Sequence, residues 1–178
     1  METMTRDRRF RTLAVVLAMM TLAAGCGCAA APPRAQPRGS GCSGLGASLG
    51  PGEWFGSVTP ASTASSLKVD VVCFFVEDAE LAAAEDGVNP TGVYNEYIRN
   101  QSARLRDVPV CTDATAHMVY KPELPNTRAV SVEDFLGYAD GSLTNSKFQT
   151  FGGGLALARL TIPSGSTCVG TLTQQYLP

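Results

Sequence analysis

Leu67-Lys-Val-Asp-Val-Val-Cys-Phe-Phe-Val76 is the stretch that decides the fold. It is dense in β-branched and aromatic residues, and its second half lacks the alternation of a half-buried strand. That pattern describes a strand buried on both faces over its second half. Asp78 follows as a candidate N-cap for Ala79-Glu-Leu-Ala-Ala-Ala-Glu-Asp86, a short run of strong helix formers halted by Gly87. Glu77, Asp78 and Glu80 suit the positive end of that helix, so capping and solvation explain them better than a metal or catalytic cluster.

Downstream, Tyr94 to Arg99 reads as a strand, Arg104 to Val110 as another and Ala114 to Tyr120 as a further one, with the polar Asn100-Gln-Ser-Ala103 between the first two. The Pro-interrupted segment Lys121 to Asn126 reads as a loop. Ser131-Val-Glu-Asp134 has a loosened capping-box spacing and opens a short helix from Val132 to Ala139 that stops near Asp140-Gly141. A hairpin closes the chain: Leu155 to Ile162, the turn Pro163-Ser-Gly-Ser166, and Cys168 to Leu177. Strands outnumber helices without regular strand-helix alternation. The expected fold class is therefore α+β, mainly β: a small antiparallel sheet or partly open barrel with two short helices, spanning residues 53–178.

The N-terminal part has a different composition. Arg6, Arg8, Arg9 and Arg11 precede a charge-free, mostly apolar run from Thr12 to Ala24. This is the order of a secretory signal, and the run falls well short of the roughly 20 residues that a membrane-spanning helix needs. Directly after it, Leu22-Ala-Ala-Gly-Cys26 resembles the lipobox of bacterial lipoproteins, which implies cleavage before Cys26 and lipidation of its sulfur; the alternative is ordinary signal cleavage after one of the alanines at 29 to 31, with Cys26 discarded. Removing residues 1–25 would leave 10 basic and 14 acidic residues, net −4. That balance offers no positive excess for a run of phosphates and argues against nucleic acid as a partner. From residue 26 to 52 the chain is dominated by Ala, Gly, Pro and Ser and reads as a flexible tether. Its glycines fit no nucleotide-binding fingerprint.

An exported location favours disulfides. Cys42, Cys73, Cys111 and Cys168 are the candidates, and four cysteines allow three connectivities. The preferred one joins Cys73 to Cys111 and Cys42 to Cys168, with Cys28 left as a spare thiol near the lipid; buried free thiols are the alternative.

Three further motifs carry a family resemblance. Ala82-Ala-Ala-Glu-Asp-Gly87, Tyr94-Asn-Glu-Tyr-Ile-Arg-Asn100 and Leu105-Arg-Asp-Val-Pro-Val110 resemble those of an uncharacterised group of secreted and lipid-anchored proteins from high-GC Gram-positive bacteria. Gln174-Gln-Tyr-Leu-Pro178 matches the strand that closes many of them. Glu96 stands where that group has its first tyrosine, Ser102-Ala103 where it has Asn-Pro, and Gln174 where it has Glu. The resemblance implies a fold and a location and brings no activity.

His117 is the only imidazole in the chain, set in a strand-like run beside Met118, and it is expected at an edge strand or partly exposed. No serine-hydrolase, zinc-protease or calcium-loop motif occurs, and neither a metal nor a cofactor is expected. Tyr94, Tyr97, Arg99, Asn100 and Arg106, with Arg104, form the most suggestive cluster. Aromatics and arginines beside a polar turn suit a ligand or protein partner. The plainer reading is a two-stranded corner in which Tyr97 and Ile98 or Leu105 pack inward and the arginines sit in solvent. The functional expectation is a membrane-anchored, extracytoplasmic, non-catalytic binding or accessory module with a cell-wall or exported-protein partner. The alternative is an envelope hydrolase whose carboxylates the fold brings together.

Overall fold

The computed structural model describes residues 32–42, 48–93, 95–102, 104–149, 151 and 156–176. The signal segment, the lipobox with Cys26, the spare Cys28, Tyr94 and the terminal Leu177-Pro178 lie outside them.

Seven strands and two helices follow in the order β1 (Gly52–Val58), β2 (Ser66–Phe75), α1 (Ala79–Glu85), β3 (Tyr97–Arg99), β4 (Leu105–Val119), β5 (Thr127–Val130), α2 (Val132–Asp140), β6 (Ala156–Ile162) and β7 (Val169–Gln174). Five strands close a ring, β1-β2-β4-β7-β6 and back to β1, antiparallel throughout except for the parallel pair β4–β7. Helix α2 falls between the third and fourth strands of this ring, β4 and β6. The fold is thus α+β and mainly β, as the strand-rich sequence implies.

Period-two alternation builds the interior. Leu67, Val69 and Val71 of β2, Val108, Ala116 and Met118 of β4, and Ala156, Ala158, Leu160 and Ile162 of β6 all enter one core. Phe135 of α2, fully buried, plugs it. Gly56 marks the place where β1 crosses closest to β2. A Cβ there would sit 2.5 Å from Val69 Cγ1 and 2.9 Å from the Asp70 carbonyl oxygen, so only glycine fits without a shift.

Strands β2 and β4 outlast their mutual pairing, which runs from Ser66 opposite Pro109 to Asp70 opposite Leu105. Past Asp70, β3 takes over as the partner of β2, and past Val110, β5 takes over as a partner of β4. The two long strands therefore carry the ring's two satellites at opposite ends.

Four sequence expectations need correction. Arg104 to Val110 and Ala114 to Tyr120 are not separate strands but one, β4, and the gap between them is a register shift against β7 between Val110 and Thr115. A bulge bends a strand without ending it, so its irregular composition resembles a loop. Asp78 does not cap α1 with its side chain; its Oδ2 instead accepts from the Gln36 amide at 2.9 Å. Ser131, by contrast, does cap α2 by accepting from Asp134 N at 2.9 Å.

The disulfides are Cys42–Cys73 and Cys111–Cys168, not the preferred pairing. Cys73 lies beyond the Asp70 end of the β2–β4 ribbon and Cys111 beyond its Pro109 end. At about 3.3 Å per residue they stand roughly 30 Å apart, far outside the reach of an S–S bond.

The expected tether, finally, is part of the fold over Pro33–Cys42. Arg38 N donates to Phe74 O, Ser40 N to Glu53 O and Ala35 N to Glu85 Oε1, while Arg38 pairs with Glu77 and Ala35 is buried. Cys42 then bonds covalently to β2. Poor in large apolar residues, this strap is held by its backbone amides, which composition does not display.

Candidate functional site

Two regions merit description as sites: the one the sequence singles out and one it does not.

On β3, Tyr97 and Arg99 alternate to the same side and meet α1, while Ile98 between them points to solvent. Arg99 Nε donates to Asp86 Oδ2 at 2.7 Å, and its Nη2 donates to Glu85 Oε2 at 3.0 Å and to the Ala82 carbonyl at 2.7 Å. The guanidinium also lies over the Phe75 ring at 5.0 Å, and the Tyr97 hydroxyl donates to Asp86 Oδ2 at 2.9 Å. Glu85 divides its two oxygens between β3 and the strap, since its Oε1 accepts from Ala35 N.

The electrostatics follow from these bonds. The Arg99 hydrogen bond holds the Asp86 carboxyl below its usual range. Glu85 is lowered first by the Ala35 amide and then by Arg99. Burial, and then the bond to Asp86, pushes the Tyr97 phenol up. Every charged group in the cluster is engaged within it.

The other expected members sit elsewhere. Asn100 turns away from α1 to donate to Asp70 Oδ2 at 2.7 Å. Arg106, only 2% exposed, faces the ring interior beside Val69 and Val108 and donates to the Arg104 carbonyl. Of the described candidates the fold brings only Tyr97 and Arg99 together, and neither Arg99 nor Arg106 lies in solvent as the plainer reading expects. Glu96, next to Tyr97, is half-buried, and burial raises its carboxyl.

His117 is partly exposed, as expected, but lies on no edge: β5 flanks it through Ala129 and β7 through Thr173. Among the described residues no three His, Cys, Asp or Glu side chains come together to hold a metal ion.

The second region lies past the C-terminus of α2. The helix stops at Gly141, whose φ of 82° is the left-handed conformation glycine adopts at no steric cost. Ser142 N then donates to Asp140 Oδ1, and Leu143 N donates back to Gly137 O. Gly137 leaves room for the Leu143 side chain, since a Cβ there would lie 2.8 Å from Leu143 Cδ1 and push that side chain aside.

The returning chain is tied to the sheet. Lys121 N donates to Lys147 O and Gln149 N to Val119 O. Gln174, 3% exposed, bridges the seam: its Oε1 accepts from Val119 N at 2.9 Å and its Nε2 donates to Gln149 O at 3.1 Å. The position uses both an acceptor and a donor, which the glutamine amide supplies and an ionised carboxylate does not.

These ties frame an open cleft of about 280 Å³. Tyr138, Phe148 and Phe151 form its aromatic wall, with Asp140, Thr144 and Asn145 around them. The rings brace one another: Tyr138 and Phe148 lie 5.4 Å apart between centroids, Tyr120 and Phe148 5.8 Å, and Phe135 and Phe151 5.5 Å. Hydrogen bonding from Ser142 holds the Asp140 carboxyl below its usual range. A second cleft of the same volume, beside Cys111, is lined by Ala64, Ser65, Val110 and Thr112 and offers no ring.

Sequence reasoning missed the aromatic cleft. The available signal was two phenylalanines, 148 and 151, in an otherwise polar segment after a helix stop, where solvated loops rarely carry such residues. With the geometry described, comparison with known proteins adds nothing: no family model, no curated protein and no solved structure matches the chain.

Proposed function

We propose that the chain is a lipid-anchored protein of the bacterial cell envelope, held by Cys26, whose folded part is a non-catalytic binding or accessory module. The anchor reading rests on the arginine-rich start, the short apolar run and the small residues before Cys26. More than one acyl chain at that sulfur would give stable attachment where a single chain is marginal. The likeness of the 82–87, 94–100 and 105–110 motifs to secreted and lipid-anchored proteins supports the same location.

One observation carries the binding reading. The charged groups the fold gathers, Glu77, Glu85, Asp86, Arg38 and Arg99, are engaged with one another or with backbone. The aromatic cleft instead combines rings with polar groups that have spare hydrogen-bonding capacity, the usual make-up of a recognition site. Catalysis by paired carboxylates would need acids free to exchange protons, and Glu85 and Asp86 are held ionised by architecture.

The test has two parts. Cys26→Ala should move the protein from the membrane fraction to the medium, and unchanged membrane retention would refute lipid anchoring. Cross-linking on intact cells should capture a partner whose recovery falls at least tenfold with Asn145→Ala and not with Arg104→Ala. The opposite dependence would place recognition away from the cleft.

A further inference from the structure

Size, charge and hydrogen-bonding capacity together restrict what the cleft can hold. Its volume, about 280 Å³, lies at the small end of ligand sites and suits a ring-sized group rather than a protein segment. Among the described residues no Lys, Arg or His lines it, and the one lining carboxylate among them, Asp140, is held below its usual range by hydrogen bonds from Ser142. A phosphate, a nucleotide or a carboxylate would meet repulsion with no compensating cation.

The polar groups are of mixed sign. The Asp140 carboxylate accepts from Ser142 through both the hydroxyl and the backbone amide, the latter at Oδ1, and its remaining lone pairs keep it an acceptor. Asn145 Oδ1 accepts from Lys147 N, which leaves the two N–H groups of Nδ2 as donors without a partner among the described residues. The Thr144 hydroxyl can act either way. Closely spaced donors and acceptors around an aromatic wall complement a ligand that has hydroxyls at its rim and C–H bonds on its face.

We propose that this cleft binds an uncharged sugar ring, the terminal or internal unit of a neutral glycan. The proposal rests on the reading of the domain as a binding module and names its ligand class. The half-buried rings of Tyr138 and Phe148 take the apolar face of the sugar, while the Asp140 carboxylate, Thr144 and Asn145 Nδ2 take its hydroxyls. Each group matters more than on open surface, because a ligand lacking the matching hydroxyl would leave it desolvated and unpaired.

The experiment uses the full chain in mild detergent, titrated with maltotriose, cellotriose and chitotriose. Binding is followed by calorimetry and by saturation transfer from protein to sugar protons. At least one trisaccharide should bind with a Kd of about 1 mM or tighter, with transfer strongest to ring C–H protons. Asn145→Ala and Thr144→Ala, both at exposed positions, should each weaken it at least fivefold while the thermal midpoint stays put. Arg104→Ala should leave it unchanged.

Failure of all three sugars to saturate a folded protein at 20-fold higher concentration, about 20 mM, overturns the proposal. So does binding that Asn145→Ala and Thr144→Ala leave intact. If glucosamine binds and N-acetylglucosamine does not, the site reads charge through Asp140 rather than a neutral ring, and the proposal falls. A cross-linked partner still lost with Asn145→Ala under any of these results would sustain the binding module while removing its sugar.

Discussion

The two ends of the β2–β4 ribbon are built on different physics. At the β3 end, α1, the strap and the strand are joined by Arg99, Glu85, Asp86 and the Cys42–Cys73 bond. At the β5 end, α2 and the segment to Phe151 are joined by aromatic packing around Phe135 and Phe148, with Gln174 closing the backbone ledger. Where charge does the structural joining, Arg99, Glu85 and Asp86 make their hydrogen bonds to one another and to backbone. Where packing does it, the neighbouring polar groups keep capacity for a ligand. Density of charged residues is therefore a poor guide to the site in this protein.

The sharpest way to break the comparison is to empty the packed end. Phe135→Ala removes a fully buried ring from the core and should cost about 3–5 kcal/mol, read as a lower urea midpoint. Because no titrating group is involved, that loss should be the same at pH 4 and pH 7. A loss that changed with pH would mean that the packed end depends on charge after all.

Next in size, Gln174→Glu puts a carboxyl into the packed end. While the acid is protonated, its carbonyl still accepts from Val119 N and its O–H can donate to Gln149 O, so the cost stays within about 1 kcal/mol; ionisation removes that donor. Burial raises the folded pKa of a carboxyl above its unfolded value near 4, so stability falls as pH rises through that folded value. By pH 8 the cost should reach about 3 kcal/mol. A flat profile between pH 4 and pH 8 would show that the site tolerates a carboxylate.

The smallest effect belongs to the charged end and has the opposite slope. Glu85 and Asp86 titrate below their usual range in the fold. Their contribution is present above the unfolded value near 4 and is lost as pH falls through the lowered folded values. Arg99→Leu should cost about 1–2 kcal/mol at pH 7, discounted for the partial exposure of its partners. The variant should also lose less stability than the native chain between pH 5 and pH 2. Equal acid sensitivity in both proteins would remove Arg99 as the link between α1 and β3.

Much of the fold was legible because it follows from periodicity. Leu67 to Val76, the Ser131 cap and the 155–177 hairpin each carry a local pattern strong enough to name the element. The missed features are non-local. Strand β4 was split because its bulge lacks alternation, and β1 was passed over beside a Gly- and Pro-rich stretch.

The disulfide pairing depends on register, which fixes which strand ends are near and leaves no trace in cysteine spacing. The site was less legible still. Tyr97 and Arg99 do meet, but Glu85 and Asp86, their partners, were read only as the end of a helix-forming run. The cleft forms where Leu143 N returns to Gly137 O and Gln174 ties Gln149 to the sheet, contacts visible only in three dimensions.

The strap changes how far the domain can work from its anchor. If Cys26 carries the proposed lipid, only residues 27–34 separate it from Ala35, the first residue hydrogen-bonded to α1. Fully extended, that link reaches about 30 Å, whereas a leash running to residue 52 would reach about 90 Å. The domain's working zone is then a shell little deeper than its own width above the bilayer. If the proposed sugar binding also holds, the glycan would have to come within that zone.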